Sequence, residues 1–399
     1  MGRIRVLFFY PNDFLGPELT VFSQIIRHLD CDRIEPILVV NSKASGVLSL
    51  SEAEGVTIRR WNFGRALAGS ASNAVRSAYH LAASVVALIG YARTKRIDII
   101  QCSSTPRAAL LGLLVARLAG ARLIMHYHVL PGRFTGPRQF LENFVSRRAD
   151  YAVAVSRFLA AEVPSTGIPP RRVGVVVNGV DVHRFHPGID GAAIRAELGI
   201  PAGAPLVVQL ARIIQQKRQD VVIRALAIAR RQAPELRCLL VGWEDPRYTG
   251  PFASYTAELR HIAEQEHLGD SLIIAPARPD APAVVAAADI VAMPSIGDAW
   301  NLAVTEAMAA GKPVIGTDSG GIPEQVVDGL TGFLVPVDSP GALAEKMVLL
   351  AQDAELRARM GKAARERTET YFSEERVAEG FTPIYVALAG DGRSSASPA

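Results

Sequence analysis

The sequence predicts an α/β protein of two Rossmann-like domains with parallel sheets facing across a cleft. Three observations lead there. Strand-like and helix-like runs alternate along most of the chain, as in β-α-β units. The strand runs are continuous in Val, Ile and Leu rather than alternating with polar residues, which strands covered on both faces require. The alternation also stops near HPGIDG (residues 186–191) and starts again, and 399 residues suffice for two domains of ordinary size.

In the first series, residues 3–10 (RIRVLFFY) read as a strand. A turn rich in Pro, Asn, Asp and Gly follows, and Pro17 opens a helix with Leu19, Phe22, Ile25, Ile26 and Leu29 on one stripe. Strands are expected at 34–40, 56–61, 97–102, 122–128, 151–155 and 173–177, with helices at 66–95, 106–119 and 138–148. The second series has strands at 206–211, 236–241, 271–275, 289–293 and 314–317, with helices at 218–232, 252–267, 280–288 and 301–310. Asn301 is a favourable N-cap for the last of these, and Gly311 a favourable end. Helices fill 340–389. The expected domains are 1–187 and 188–373, and the Gly/Ser-rich end, 391–399, reads as a disordered tail.

Hydrophobic residues make up 49% of the chain and charged residues 21%, a globular balance. A net charge of +4 is too weak to imply nucleic acid, and no nucleic-acid partner is expected. Cys31, Cys102 and Cys238 are too widely spaced for a disulfide framework or a zinc signature, which suits a reducing cytoplasm. Met1 leads directly into a strand without the apolar stretch of a signal peptide, and the longest apolar run, 81–91, is too short to span a bilayer. Peripheral contact with an anionic membrane stays open. The 66–95 helix carries Tyr79, Leu81, Val85, Val86, Leu88, Ile89 and Tyr91 among Arg65, Arg76, Arg93, Lys95 and Arg96, and Arg133, Arg138, Arg147 and Arg148 add charge. The plainer alternative is a helix packed on the sheet with solvated ends.

Ligands of open parallel sheets bind beyond the carboxyl ends of the strands. The polar residues expected there are Gly16, Ser103, Ser104 and His128 in the first half, and Arg212, Gly242, Arg278, Asp298 and the 318–324 loop in the second. Arg212 and Lys217 flank a strand-to-helix turn, where two cations and a helix N-terminus suit a diphosphate; as lone residues they could equally be solvated surface charges. His128 is a site candidate or a satisfied edge residue, while His126 alternates into the sheet. Asp30-Cys31-Asp32 has the form of a D-x-D metal motif but reads as a helix-ending turn. Gly16 lacks the companions of a G-x-G-x-x-G dinucleotide fingerprint. In 294–324, Asp298 precedes a helix and Glu306 sits on its otherwise apolar segment.

Taken together, these residues resemble family 4 glycosyltransferases of the GT-B fold, the retaining, nucleotide-sugar-dependent kind. The marks are GPE at 16–18, the strand-terminal His128, SRFLAAEV at 156–163, NGVD with HRF at 178–185, Arg212 with Lys217, LVG at 240–242, Asp298 with Glu306, EAMAAGKPVI, and GGIPEQV followed by G-x-T-G-F-L-V. The resemblance implies that Arg212 and Lys217 hold the donor diphosphate and that Glu306 accepts from the ribose hydroxyls. Asp298 would contact the donor sugar near the reacting carbon. Backbone N–H groups of Ala299, Trp300, Asn301 and Leu302 would meet sugar or phosphate. Gly16 would let a loop approach the diphosphate closely, His128 would face the sugar, and the base would lie near Gly242, Ala277 and Arg278. It also implies that a helix at about 374–390 returns to the first domain. The chain departs from the family pattern in having Asp298 for Glu, Trp300 and Asn301 for Phe-Gly, and Leu15 before Gly16 for a glycine pair.

The implied reaction is sugar transfer from a nucleotide-sugar, expected to be UDP-linked, to a hydroxyl of a glycan, lipid-linked or small-molecule acceptor. The setting would be cell-envelope polysaccharide, glycoconjugate or secondary-metabolite synthesis. No metal or other cofactor is expected, because Arg212 and Lys217 would carry the charge of the leaving diphosphate. Acceptor contacts would come from loops such as 132–139. Two alternatives remain open at this point: a nucleotide-sugar 2-epimerase, which would alter its substrate without an acceptor, and a non-catalytic nucleotide-sugar binder.

Overall fold

The computed structural model describes residues 2–12, 16–42, 56–64, 71–132, 135–246 and 248–393. Leu15, Arg65, Arg133, the start of the expected 66–95 helix and residues 394–399 lie outside them. The chain forms two compact units, Met1–Gly179 with Glu374–Ala399, and Val180–Ser373. The division thus falls ahead of the HPGIDG segment. There, the Val180 N–H donates to the Phe372 carbonyl (2.9 Å), and Val180 bridges Ser373.

The first unit runs β1 (Ile4–Tyr10), α1 (Pro17–Arg27), β2 (Ile34–Asn41), β3 (Thr57–Trp61), α2 (Ala71–Thr94), β4 (Ile99–Ser103), α3 (Pro106–Ala119), β5 (Arg122–Tyr127), α4 (Pro137–Ser146), β6 (Tyr151–Ala154), α5 (Arg157–Glu162) and β7 (Val173–Val175). Its strands form one parallel sheet in the order β3-β2-β1-β4-β5-β6-β7. β1 lies between β2 and β4, well inside the sheet, and Val6 through Tyr10 are fully buried.

The second unit contains α6 (Ala192–Glu197), β8 (Leu206–Leu210), α7 (Gln219–Ala229), β9 (Arg237–Gly242), α8 (Tyr255–Gln265), β10 (Leu272–Pro276), α9 (Ala281–Ala287), β11 (Ile290–Met293), α10 (Leu302–Ala309), β12 (Val314–Thr317), α11 (Ile322–Gln325), β13 (Gly332–Val335), α12 (Pro340–Gln352) and α13 (Ala354–Tyr371). Its six-stranded parallel sheet has the order β10-β9-β8-β11-β12-β13, which repeats the pattern of the first unit. The sequence reading missed α5, α6, α11 and β13 as elements. Each is short, and a four-residue apolar run such as Gly332–Val335 carries no period to read.

The last helix, α14 (Glu374–Arg393), belongs to the first unit and runs through 391–393, where a tail was expected. Its Val377, Phe381 and Tyr385 join Leu19, Phe22, Ile25 and Ile26 of α1 in one core. Phe8 meets Phe22 and Tyr385 edge-on, with ring centroids 5.5 and 6.5 Å apart. Burying side chains of this size contributes about 1.5–3 kcal/mol each. A buried polar chain adds direction to the packing. The Tyr385 hydroxyl donates to Gln101 Oε1 (2.6 Å), and Gln101 Nε2 lies 3.3 Å from His126 Nδ1. The D-x-D stretch is a turn in which the Asp32 N–H donates to Asp30 Oδ1 (3.0 Å).

Tyr385→Phe leaves the buried Gln101 oxygen without this donor. It is expected to destabilise the first unit by about 1–3 kcal/mol, read as a lower urea midpoint with an unchanged slope.

Candidate functional site

In the second unit the strand order reverses between β8 and β11, which pair in parallel with Val207 opposite Ile290 and Val208 opposite Val291. The loops leaving their carboxyl ends therefore start side by side, as at the binding crevice of other open α/β sheets. They are stitched together: the Ile296 N–H donates to the Gln216 carbonyl (3.0 Å), and Gln216 Nε2 donates to the Ile296 carbonyl (3.1 Å). Two buried glutamines hold the first loop from beneath. Gln209 Nε2 donates to the Lys217 carbonyl (2.7 Å) and Gln219 Nε2 to the Arg212 carbonyl (2.9 Å).

At the centre, Lys217 Nζ lies 2.7 Å from Asp298 Oδ2. Asn301 Nδ2 donates to the same oxygen (2.8 Å), and Gln216 Nε2 lies 3.4 Å from Oδ1. The two charged side chains are only 12% and 10% exposed, so this is a buried pair whose desolvation is offset by added hydrogen bonds. The GGIPE loop supports the Asp298 backbone, with the Gly321 N–H donating to its carbonyl (2.7 Å). Gly320 (φ +66°) lies so close that a Cβ there would come within 2.3 Å of the Asp298 carbonyl oxygen, so only glycine fits.

Asn301 also caps α10, its side chain accepting from the Ala303 N–H (3.1 Å), and it is clamped to Gln325 by two further bonds (3.2 and 2.8 Å). Ala299 beside it is buried, and Leu302, the first helical residue, is half-buried. Trp300 packs edge-on against Phe372 at 5.2 Å, with its indole N–H buried and without an acceptor among the described residues. Arg367 sits over Phe372 and donates to the carbonyls of Gln325 and Glu324. The structure thus gives Trp300 a packing partner within its own unit.

Glu306 is half-buried on α10, and among the described residues no hydrogen-bond donor is paired with its carboxylate. Burial pushes its pKa up to about 7, against the opposing pull of the Arg184 guanidinium. A carboxyl titrating near neutrality on the helix that follows the crevice loop is a candidate for accepting a ligand hydroxyl.

The other expected site residues are spread more widely. Arg212 is exposed just beyond the end of β8. Gly242 is explained by packing alone, since a Cβ there would lie 1.7 Å from the Ala211 carbonyl oxygen. Arg278 is held between Glu197 (2.5 and 2.9 Å) and Asp280 (2.9 and 2.8 Å), which keeps it firmly protonated. In the first unit, Gly16 caps α1 in extended backbone (φ −103°, ψ 162°) that any residue adopts, and its N–H donates to the Tyr10 hydroxyl (2.9 Å). Its glycine freedom is not used in this conformation. His128 follows β5 with its ring 4.1 Å from that of His126 and Nε2 without a partner among the described residues. Burial pushes its pKa down to about 3, so it is a neutral imidazole.

Sequence reasoning passed over Gln216, Gln325 and Arg184. Their signals were present in the QQK turn, the GGIPEQ run and the HRF triplet, but each needed a partner far along the chain to acquire meaning.

Residues 190–367 match the family model described as Glycosyl transferases group 1, and residues 25–184 match Glycosyltransferase Family 4. The chain belongs to glycosyltransferase family 4. It is 35% identical over 260 residues to the D-inositol 3-phosphate glycosyltransferase of Streptomyces scabiei, covering 63% of this chain and 57% of that one. With the Corynebacterium glutamicum protein of the same name it is 38% identical over 208 residues, 51% and 49% of the two chains. The chain spans about half the length of the curated relatives it matches. Among solved structures, Anabaena HepE in complex with UDP superposes with a TM-score of 0.79 at 21% identity, covering 96% of this chain and 100% of that one. Sucrose-phosphate synthase from Thermosynechococcus elongatus gives 0.75 at 21% identity, covering 98% and 100%. At this identity the likeness is one of fold, the two Rossmann-like domains of GT-B proteins.

The geometry makes two predictions. Unfolded Glu306 titrates near 4.5 and folded Glu306 near 7, so between these values the folded state holds a proton that the unfolded state has lost. Its contribution is full below 4.5 and is lost as the pH rises through 7. Glu306→Gln should therefore raise the melting temperature at about pH 8 and leave it nearly unchanged at about pH 4; equal effects at both would remove the buried-carboxyl reading. Lys217→Ala strands a buried carboxylate and should cost about 3 kcal/mol in denaturant unfolding, much of it recovered by adding Asp298→Asn.

Proposed function

We propose that this family 4 member is a retaining glycosyltransferase. It moves a sugar from a nucleotide-sugar, UDP-linked in our reading, to an acceptor hydroxyl. The observation that carries the proposal is the buried Lys217–Asp298 pair at the β8/β11 crevice, with Arg212 on the same loop and a single unpaired carboxyl, Glu306, on the adjoining helix. Lys217 and Arg212 supply positive charge for a diphosphate, and charge-assisted bonds to phosphate are the strong kind. A diphosphate arriving there competes with Asp298 for Lys217 and frees the carboxylate to accept from donor-sugar hydroxyls. Glu306 takes the ribose hydroxyls.

In this reading, negative charge grows on the leaving diphosphate beside Arg212 and Lys217, which stabilise it without a metal. The acceptor hydroxyl attacks the face from which the diphosphate departs, and a departing phosphate oxygen takes its proton. A double displacement would need a free carboxylate nucleophile beneath the anomeric carbon. Asp298 is a poor candidate, because even after Lys217 turns to the diphosphate Asn301 still donates to one of its oxygens and Gln216 lies beside the other.

The UDP preference is supported by the UDP complex of the HepE neighbour. The names of the curated relatives favour a small phosphorylated polyol as acceptor, ahead of a glycan or lipid-linked one, and we place the reaction in the cytoplasm, in cell-envelope or glycoconjugate synthesis.

The test is a thermal-shift screen of UDP, GDP, ADP and their sugars, followed by product assays with and without acceptors. UDP at about 100 times its Kd should stabilise the protein by about 2.7 kcal/mol. Product formed from the nucleotide-sugar alone would indicate an isomerase, and binding without transfer a non-catalytic protein. Asp298→Asn should lower turnover yet leave measurable transfer; complete loss with a trapped glycosyl adduct would overturn the same-face route.

A further inference from the structure

In the first unit, α2 packs beside α3 and α3 beside α4. The solvent side of an outer helix is ordinarily polar. Here it is apolar. Tyr79 and Val86 of α2, Leu110, Leu114 and Leu118 of α3, and Phe140 of α4 are between 39% and 72% exposed. Between Arg76 and Arg93, the exposed positions of α2 carry only Ala, Gly, Tyr79 and Val86. The three leucines of α3 recur every fourth residue, so they form one ridge along the helix.

The charge around this face is predominantly positive, with the largely buried Asp150 shared by Arg117 and Arg122 (3.7 and 3.0 Å). Arg76, Arg93, Arg117 and Arg138 are exposed on the three helices, and Arg147 and Arg148 follow α4. The sequences of α2, α3 and α4 contain one acidic residue, Glu142, and it is buried. At the carboxyl ends of α2 and α3, a cavity of about 310 Å³ is lined by Arg93, Arg96, Arg122 and Gly120. The one carboxylate in its wall, Asp98, already accepts from the Arg5 N–H (2.8 Å).

We propose that the α2–α3–α4 face docks on an anionic lipid bilayer, its apolar ridge entering the headgroup boundary and its arginines, with the cavity beyond Arg93, meeting lipid phosphates. An apolar strip bordered by cations is what an interfacial surface requires. The same charge pattern disfavours a second copy as occupant, because a two-fold contact through this face would set arginine against arginine. No helix among the described residues is long and apolar enough to cross a membrane, so the contact is peripheral.

The test is co-sedimentation of the full chain with vesicles of phosphatidylcholine alone and of phosphatidylcholine mixed with phosphatidylglycerol. Binding is expected to the mixed vesicles and to weaken with salt. Each arginine near an anionic surface is worth about five-fold in partitioning, so Arg76→Glu with Arg138→Glu should weaken binding more than about 20-fold. Leu114→Glu with Leu118→Glu, at exposed positions, should abolish it while leaving the melting temperature and the UDP-induced shift unchanged. Equal binding to both vesicle types, no binding to either, or binding indifferent to both double variants would overturn the proposal. So would a concentration-dependent dimer in light scattering that Leu114→Glu dissociates. The UDP shift is read separately, so loss of vesicle binding and failure of the nucleotide reading are distinguishable.

Discussion

The buried pair of Lys217 and Asp298 is the interaction on which the second unit's crevice depends. A carboxylate with so little access to water persists only if a cation and further donors meet it. Lys217, Asn301 and Gln216 do so, and each of them is fixed in turn. Gln209 holds the Lys217 carbonyl, Gln325 clamps Asn301, and the Ile296 backbone holds Gln216. The support runs from β8 through both loops to the first turn of α10. A diphosphate entering the crevice would therefore meet positive charge that is already oriented. Its cost is the exchange of one ion pair for another.

Around that pair, glycine and helix-cap positions serve the backbone rather than a ligand. Gly320 lets the supporting loop touch Asp298, and Gly242 lets β9 end against β8. Asn301 caps α10 and serves Asp298 with the same side chain. Glu306 is the exception, a carboxyl that burial pushes up against the pull of Arg184, and groups perturbed in this way cluster at functional sites. Of the residues that the resemblance singles out, Lys217 and Asp298 meet as a buried pair and Glu306 lies on the adjoining helix. Arg278, in contrast, is held by two carboxylates, and Trp300 packs against Phe372.

Much of the fold was legible because its signals are local. Pro17 before an apolar stripe announces α1, and the continuous VLFFY run announces a strand covered on both faces. Asn301 announces the start of α10. The losses came where local signal is thin. β13 is four residues long, and the GFLV run looks alike as strand or loop. The assignment of α14 to the first unit was available only through the family resemblance, since an amphipathic stripe says that a helix is buried and not against what.

By itself, then, the sequence determined the α/β class, the two strand-helix series and the short list of charged residues at strand ends, because periodicity and capping depend on neighbours a few residues apart. Only the tertiary structure decided which of those charges meet. Lys217 and Asp298 are 81 residues apart, and they touch because the sheet places β8 beside β11. The same holds for the apolar face of α2, α3 and α4. Each helix reads as an ordinary covering element, and only their packing side by side leaves Tyr79, Leu114 and Phe140 facing water.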